Sequence, residues 1–195
     1  MTPAIAANPH VTSLTAVREV PGPNAEGADW RFSYSEAGMD TSGPPVAKRA
    51  GIILGLGFGG FVDGILLHQI VHWHNMGSAV VPPTTMEAMA ENMRWDGFFH
   101  AAVWIMTLVG VSWLLTDARR GLPLPGGKAF TGLLILGWGW FNLVEGIIDH
   151  HLLGLHHVRD LPVHVPLYDW LFLGFGGVGF ILLGWMMARG RRRPR

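Results

Sequence analysis

The chain has 195 residues, of which 49% are hydrophobic and only 14% are charged, whereas soluble domains carry about 25% charged residues. Lysine and arginine balance aspartate and glutamate at 14 each, so there is no basic excess to hold the phosphates of a nucleic acid, and none is expected as a partner. The absence of cysteine excludes disulfides, thiolate metal sites and iron–sulfur clusters. Any metal must therefore be bound by histidine, carboxylate or methionine.

The N-terminal segment, residues 1–47, is polar and rich in proline and has no apolar run. Such a segment cannot bury enough surface to fold alone, so we predict a disordered cytoplasmic tail there. Residues 48–190 are expected to form one membrane domain, and residues 191–195 a basic cytoplasmic tail.

Four apolar stretches follow the tail, each close to the roughly 20 residues that a helix needs to cross the hydrocarbon core. They predict an all-α fold, a polytopic four-helix transmembrane bundle in a lipid bilayer. The predicted spans are residues 50–72, 97–116, 129–150 and 167–188.

The basic residues predict the orientation of these spans. Only Arg94 and Arg159, of the 14 lysines and arginines, lie in the two loops on the opposite side from the termini. Because loops rich in lysine and arginine stay in the cytoplasm, we predict a multi-pass protein with both termini cytoplasmic. Association into a homo-oligomer stays open.

A shift of 82 residues places the first span over the third. Nine of the 22 positions from residue 53 to residue 74 are identical in this alignment. Three aligned pairs carry ionisable side chains, namely Asp63 with Glu145, His68 with His150, and His74 with His156. We therefore predict an internal repeat of spans 1–2 and 3–4, related by a pseudo-two-fold axis along the membrane normal, with a shared central site.

Nine of the ten histidines lie in the outer half of the predicted bundle or in its outer loops, together with several carboxylates. An ionisable group at the centre of a span costs about 2.5 to 3.5 kcal/mol, so such a cluster needs a shared reason. Three helices each carry a polar pair at i, i+4 spacing, which lies on one helix face. The predicted metal site consists of His68, His72, Asp96, His100, Glu145, Asp149 and His150. The four histidines are predicted as ligands, and the three carboxylates either as oxygen ligands or as groups that orient the histidines.

Further polar residues are expected to hold these ligands in place or to relay protons. Asp63 is five residues from His68, about 140° around a straight α-helix, so the two side chains are expected to point apart. Asp169 is expected to cap the fourth span. The supporting residues are predicted to be Asp63, Asn142, His74, His151, His156 and His157.

Imidazole with carboxylate suits iron, manganese, zinc and oxidised copper, and four-helix bundles commonly hold such centres. Our leading hypothesis is an integral membrane metalloprotein with a histidine and carboxylate site near the outer face. A non-haem metal-dependent oxidoreductase is one form of this hypothesis, and whether the protein is an enzyme stays open. A b-type haem ligated by His68 and His150, and a proton or ion pathway through Asp63 and Glu145, are further alternatives.

Three methionines in the outer loop before the second span follow helical spacing. Met86, Met89 and Met93 stand at i, i+3 and i+7, and thioether sulfur is a soft ligand that suits Cu(I). The stripe is thus either an apolar helix edge or a point where soft metal is taken up. Uptake of a soft metal by these methionines would support an alternative function, that of a copper-handling or cytochrome oxidase assembly factor.

Three segments, residues 59–69, 96–100 and 142–160, resemble an uncharacterised family of bacterial predicted membrane proteins with four spans. The resemblance covers about residues 48–188 and implies a location in the bacterial plasma (inner) membrane. It assigns no activity. Some members of the family are joined to a membrane domain implicated in copper delivery, which implies a respiratory oxidase or its assembly factors as partners.

Overall fold

The computed structural model describes residues 48–189, and the two predicted tails lie outside the described residues. Over the described part the fold is all-helical, and four of its helices are long and apolar enough to cross a membrane. The predicted fold class is therefore confirmed. The helices are α1 (Lys48–Ile70), α2 (Met86–Arg119), α3 (Gly127–Leu152) and α4 (Pro166–Ala188).

Helix α2 begins eleven residues before the predicted second span, at Met86 instead of residue 97. The side chain of Thr85 caps it by accepting a hydrogen bond from the backbone N–H of Ala88 at 3.1 Å. The methionine stripe therefore forms the first turns of a long transmembrane helix.

Helices α1 and α3 form the centre of the bundle, with α2 packed on α1 and α4 packed on α3. The two central helices meet backbone to backbone at Gly55 and Gly137. A Cβ atom at Gly55 would collide with the carbonyl oxygen of Leu134, and one at Gly137 with that of Ile52. Small residues permit this approach in lipid, where no hydrophobic force drives helices together.

Three of the four candidate membrane helices change from α to π geometry along their length. The π segments are Asp63–Ile70 in α1, Gly146–Leu152 in α3 and Phe172–Gly179 in α4. A π-helix bonds residue i to residue i+5, so residues five apart approach one another. The first two segments lie at the bundle end that carries the histidines.

The loops that follow α1 and α3 cover this end and bond to each other. Ala79 N–H donates to the carbonyl of Leu155 at 3.0 Å, and Leu161 N–H donates to the carbonyl of Trp73 at 2.9 Å. The hydroxyl of Ser78 also donates to the Asp160 carboxylate at 2.7 Å. These bonds tie two distant parts of the chain into one cap over the bundle.

The opposite end of the bundle carries the basic residues. Arg49 donates to the buried carboxylate of Asp117 at 2.9 Å and lies over the ring of Trp113 at 5.1 Å. The start of α1, the end of α2, the start of α3 and the end of α4 meet there, as the chain order of four antiparallel helices requires. The histidines and the described basic residues other than Arg94 and Arg159 thus occupy opposite ends of the described bundle.

Candidate metal centre

Four histidines and two carboxylates converge where α1 and α3 end. Two residues come from α1, two from α3, and one from each loop that follows these helices. All six are buried, with at most 6% of each residue exposed. The residues of this cluster, called the central cluster below, are Asp63, His68, His74, Glu145, His150 and His156.

The π turns bring each helix's carboxylate onto its own histidine. His68 Nε2 lies 3.1 Å from Asp63 Oδ2, and His150 Nε2 lies 3.0 Å from Glu145 Oε1. Both pairs are five residues apart, the spacing that a π-helix brings together. The expectation that Asp63 and His68 point apart is therefore wrong, because it assumed a straight α-helix.

The two loop histidines complete the cluster from above. His74 Nε2 lies 3.7 Å from Asp63 Oδ1, and His156 Nε2 lies 2.8 Å from Glu145 Oε1. The rings of His74 and His156 stack on each other with centroids 4.5 Å apart. Ligand atoms lie within 4.8 Å of one another in two groups of three, His68 with His74 and His156, and Glu145 with His150 and His156.

Backbone carbonyls orient the two loop histidines. His74 Nδ1 donates to the carbonyl of Val158 at 2.9 Å, and His156 Nδ1 donates to the carbonyl of Met76 at 3.2 Å. Because a carbonyl only accepts, Nδ1 must carry the proton in both rings. In the neutral form, Nε2 then presents a lone pair to the centre of the cluster.

Carboxylates lie next to the outward-facing nitrogens of the two helix histidines. His68 Nδ1 lies 3.0 Å from Asp96 Oδ1, and His150 Nδ1 lies 3.4 Å from Asp169 Oδ1. Metal-bound histidines in proteins commonly have such a carboxylate or carbonyl on the other ring nitrogen, where it fixes the tautomer and the ring orientation.

Asp96, a predicted ligand, faces His68 Nδ1 instead of the interior of the cluster. Its two oxygens also accept hydrogen bonds from the backbone N–H of Met76 and the amide of Asn75, both at 2.8 Å. Asp169 similarly accepts from the backbone N–H of Val158 at 2.8 Å. Each carboxylate thereby lies between a helix histidine and a loop whose backbone N–H donates to it.

The inner atoms of the central cluster lack ordinary partners. Among the described residues, buried atoms without a hydrogen-bond partner include Nε2 of His68, His74 and His150, and one oxygen each of Asp63 and Glu145. Buried polar atoms are nearly always paired, and an unpaired one costs about 1–3 kcal/mol. Such a concentration of unpaired lone pairs at one place suits a bound cation.

The surroundings shift the pKa values of the loop histidines in opposite directions. Burial penalises the charged form of His74 and lowers its pKa. Burial also acts on His156, but the hydrogen bond to Glu145 and the charge of Glu145 outweigh it and raise the pKa. His74 is therefore the more readily available neutral ligand.

Besides Asp96, three predicted ligands lie outside the central cluster. His72 is exposed with φ of 50°, because α1 has already ended at Ile70 and the i, i+4 relation to His68 is lost. His100 donates from Nδ1 to its own helix at the carbonyl of Asp96, 2.7 Å away. Asp149 is half-buried, and the π turn after Glu145 takes it away from the converging groups.

The remaining predicted supporting residues have separate contacts. Asn142 donates from Nδ2 to the carbonyl of Gly176 at 3.0 Å and so links α3 to α4. His151 is exposed, with its ring 5.0 Å from that of Trp170. His157 lies 3.2 Å from Asp169 Oδ2, and burial lowers its pKa. The sequence predicted only a supporting part for Asp63, His74 and His156. The repeat alignment carried a signal for a larger part, because it pairs Asp63 with the predicted ligand Glu145 and His74 with His156.

The fold and the cluster define a class: a four-span membrane protein with a buried histidine and carboxylate centre at one end of the bundle. Residues 50–191 match the family described as "Predicted membrane protein (DUF2243)", and the chain belongs to this family. The resemblance seen in the sequence is thereby confirmed. Neither the curated proteins nor the solved structures yield a match to the chain.

Proposed function

We propose that this protein is an integral membrane metalloprotein whose central cluster binds transition-metal ions in a non-haem centre. One observation carries the proposal: histidine Nε2 atoms face carboxylate oxygens at 2.8–3.7 Å, while the Nδ1 atoms point outward to carbonyls and carboxylates. When the imidazoles are neutral, lone pairs face negative oxygens across the cluster. A cation between them turns this repulsion into coordination.

Charge balance supports two divalent ions. The four carboxylates that contact the cluster histidines, Asp63, Asp96, Glu145 and Asp169, are each at most 6% exposed. With four neutral imidazoles, these carboxylates place four negative charges at one end of the bundle, and uncompensated buried charge is costly. Two divalent ions would balance them. The competing arrangement, four protonated imidazoles, gives the same net charge without metal.

The donor set favours particular metals. Imidazole nitrogen with carboxylate oxygen is typical of zinc, manganese and iron sites, and two histidines with one carboxylate is the ligand set of many non-haem iron oxygenases. A bound iron or manganese ion would supply one-electron redox chemistry. The chain itself would hold the ligands rigidly, fix their tautomers and keep the centre largely out of water. An oxidoreductase is therefore the activity that we propose for the centre.

We further propose that the centre lies on the pseudo-two-fold axis of an internal repeat. The hydrogen bond from His74 to Val158 and the one from His156 to Met76 involve residues related by the same shift of 82 positions. The contacts of Gly55 with Leu134 and of Gly137 with Ile52 are related in the same way. Each repeat would thus supply two histidines and one carboxylate.

The metal content of the purified protein tests the proposal. We expect about two iron, manganese or zinc ions per chain by element-resolved mass spectrometry, in mild detergent, without added metal and without a histidine tag. His156→Gln should lose metal, because His156 belongs to both converging groups. His72→Gln is the matched control, since His72 is exposed on the same end of the bundle.

Folding must be measured in parallel, by size-exclusion chromatography and thermal melting of the tryptophan fluorescence. A wild-type protein free of metal, or a folded His156→Gln variant with full metal content, contradicts the proposal. A Soret band in the purified protein would point instead to the haem alternative.

A copper-handling function is the second candidate, and the exposure of the methionine stripe favours it. Met86 is 86% exposed and Met93 is 63% exposed at the start of α2, so their thioethers are accessible. This function predicts that Cu(I) affinity falls when Met86, Met89 and Met93 are replaced together by leucine. Copper as the sole bound metal would favour this candidate, and unchanged Cu(I) affinity in the triple variant would count against it.

A further inference from the structure

A second group of ligand atoms lies beside the central cluster, nearer to solvent. His157 Nδ1 and His164 Nε2 lie 3.2 Å and 3.1 Å from the same atom, Asp169 Oδ2. The two imidazoles stack with centroids 4.0 Å apart. Their side chains are 24% and 41% exposed, while the Asp169 side chain is only 4% exposed. Two accessible imidazoles therefore share one buried carboxylate oxygen.

Asp169 joins this outer group to the central cluster. Its other oxygen, Oδ1, lies 3.4 Å from His150 Nδ1 and accepts a hydrogen bond from the backbone N–H of Val158. The rings of His157 and His150 are 6.3 Å apart. Only one carboxylate thus separates the outer imidazoles from a histidine of the centre.

The corresponding carboxylate on the other side of the bundle is closed by amides. Asp96 Oδ2 accepts hydrogen bonds from Asn75 at 2.8 Å and from Gln69 at 3.4 Å. Asn75 precedes His157 by the same shift of 82 residues that relates His74 to His156. One carboxylate therefore meets neutral amide donors, and the other meets two nitrogens that can bind metal.

We propose that His157, His164 and Asp169 form a second metal site, which takes a divalent transition-metal ion from solvent and passes it to the central cluster. Two imidazoles and one carboxylate form a suitable ligand set for such an ion. Three protein ligands leave coordination positions open to water, as exchangeable sites require. Binding at this outer site stands by itself, whereas its role in loading rests on the proposed function.

The test is a titration of metal-depleted protein in detergent with Co²⁺, followed by calorimetry for stoichiometry and by visible absorption for the rate of loading. His157→Asn is the sharpest variant, because it installs the amide found at the corresponding position of the other side. His164→Gln is the second variant, since this residue is exposed and its loss leaves the core intact. His151→Gln, another exposed histidine, is the control.

We expect the wild type and the control to bind one Co²⁺ ion more than either variant. Both variants should fill the central cluster to the same final level as the wild type. Their loading rate should be lower by about tenfold or more, a loss of the size seen when a group that supports a metal site is removed. Equal stoichiometry in all four proteins overturns the outer site. Equal loading rates overturn its role in loading.

The design separates this inference from the proposed function. If the central cluster takes up no metal but the outer ion is still lost in both variants, the outer site stands and the proposed function fails. If the central cluster fills while the variants match the wild type in stoichiometry and rate, the proposed function stands and the inference fails.

Discussion

His68 faces a carboxylate at each of its ring nitrogens, and the direction of each nitrogen separates the parts of the two carboxylates. Asp63 faces Nε2 at 3.1 Å and Asp96 faces Nδ1 at 3.0 Å. Only Nε2 points to the interior of the cluster, so Asp63 is placed to share a metal and Asp96 is placed to orient the ring. The sequence left both parts open for Asp96 and gave Asp63 only a supporting part, because a straight helix would put Asp63 on another face.

Asp96→Asn tests the orienting part. The asparagine keeps the size of the side chain and can still accept from Met76 N–H, but it removes the charge that fixes the His68 tautomer. We expect metal affinity to fall about 10- to 100-fold, as is typical when such a supporting group is changed. A competition titration against a metal chelator measures the metal affinity of the variant and of the wild type.

Asp149→Asn provides the comparison for that variant. Asp149 is half-buried near the same bundle end and lies outside the converging groups. The metal affinity of the Asp149→Asn protein should therefore match that of the wild type. An Asp96→Asn protein with wild-type affinity would show that Asp96 does not orient His68.

At the scale of the element, the four spans follow directly from hydropathy, and the structure places helices at all four. The π turns could not be predicted in this way. Whether residue 68 bonds back to residue 63 or 64 depends on contacts with α2 and the covering loops, not on the apolar pattern. The one-residue change of register moves His68 onto Asp63 and separates Asp149 from Glu145, so the predicted ligands differ from the residues that converge in the structure.

The contact between α1 and α3 carries the second prediction. Gly55→Ala places a methyl group against the carbonyl oxygen of Leu134, and backbone cannot move aside as a side chain can. Overpacking of this kind costs about 1–3 kcal/mol. We expect a lower melting temperature in detergent, measured by tryptophan fluorescence, together with weaker metal retention, because α1 and α3 each carry two of the six residues of the central cluster.

Gly97→Ala is the matched control for Gly55→Ala. A Cβ at Gly97 in α2 meets no atom within 4 Å, and alanine is the better helix former. Its melting temperature should stay the same or rise. A Gly55→Ala protein as stable as this control would mean that the two central helices tolerate a wider separation.

At the scale of the whole molecule, the loops determine whether the centre forms at all. His74 and His156 reach the cluster only because the two loops bond to each other and carry their histidines back over the helix ends. In the sequence both residues lie just beyond the ends of their predicted spans, and the sequence predicts only that they support the ligands. The repeat alignment was the one signal in the sequence that related His74 to His156. The two hydrogen bonds agree with it, because the shift of 82 residues that relates the histidines also relates their partners Val158 and Met76.

The last prediction concerns which side of the membrane receives the metal. Histidines and most of the described basic residues lie at opposite ends of the bundle, and retention of basic loops in the cytoplasm predicts that the central cluster lies on the outer side. Because the chain has no cysteine, a single introduced cysteine reports its location without background. In intact bacteria, a membrane-impermeant maleimide should label His72→Cys and leave Lys128→Cys unlabelled until the cells are opened. The reverse pattern would place the centre on the cytoplasmic side and make the supply of metal a cytoplasmic process.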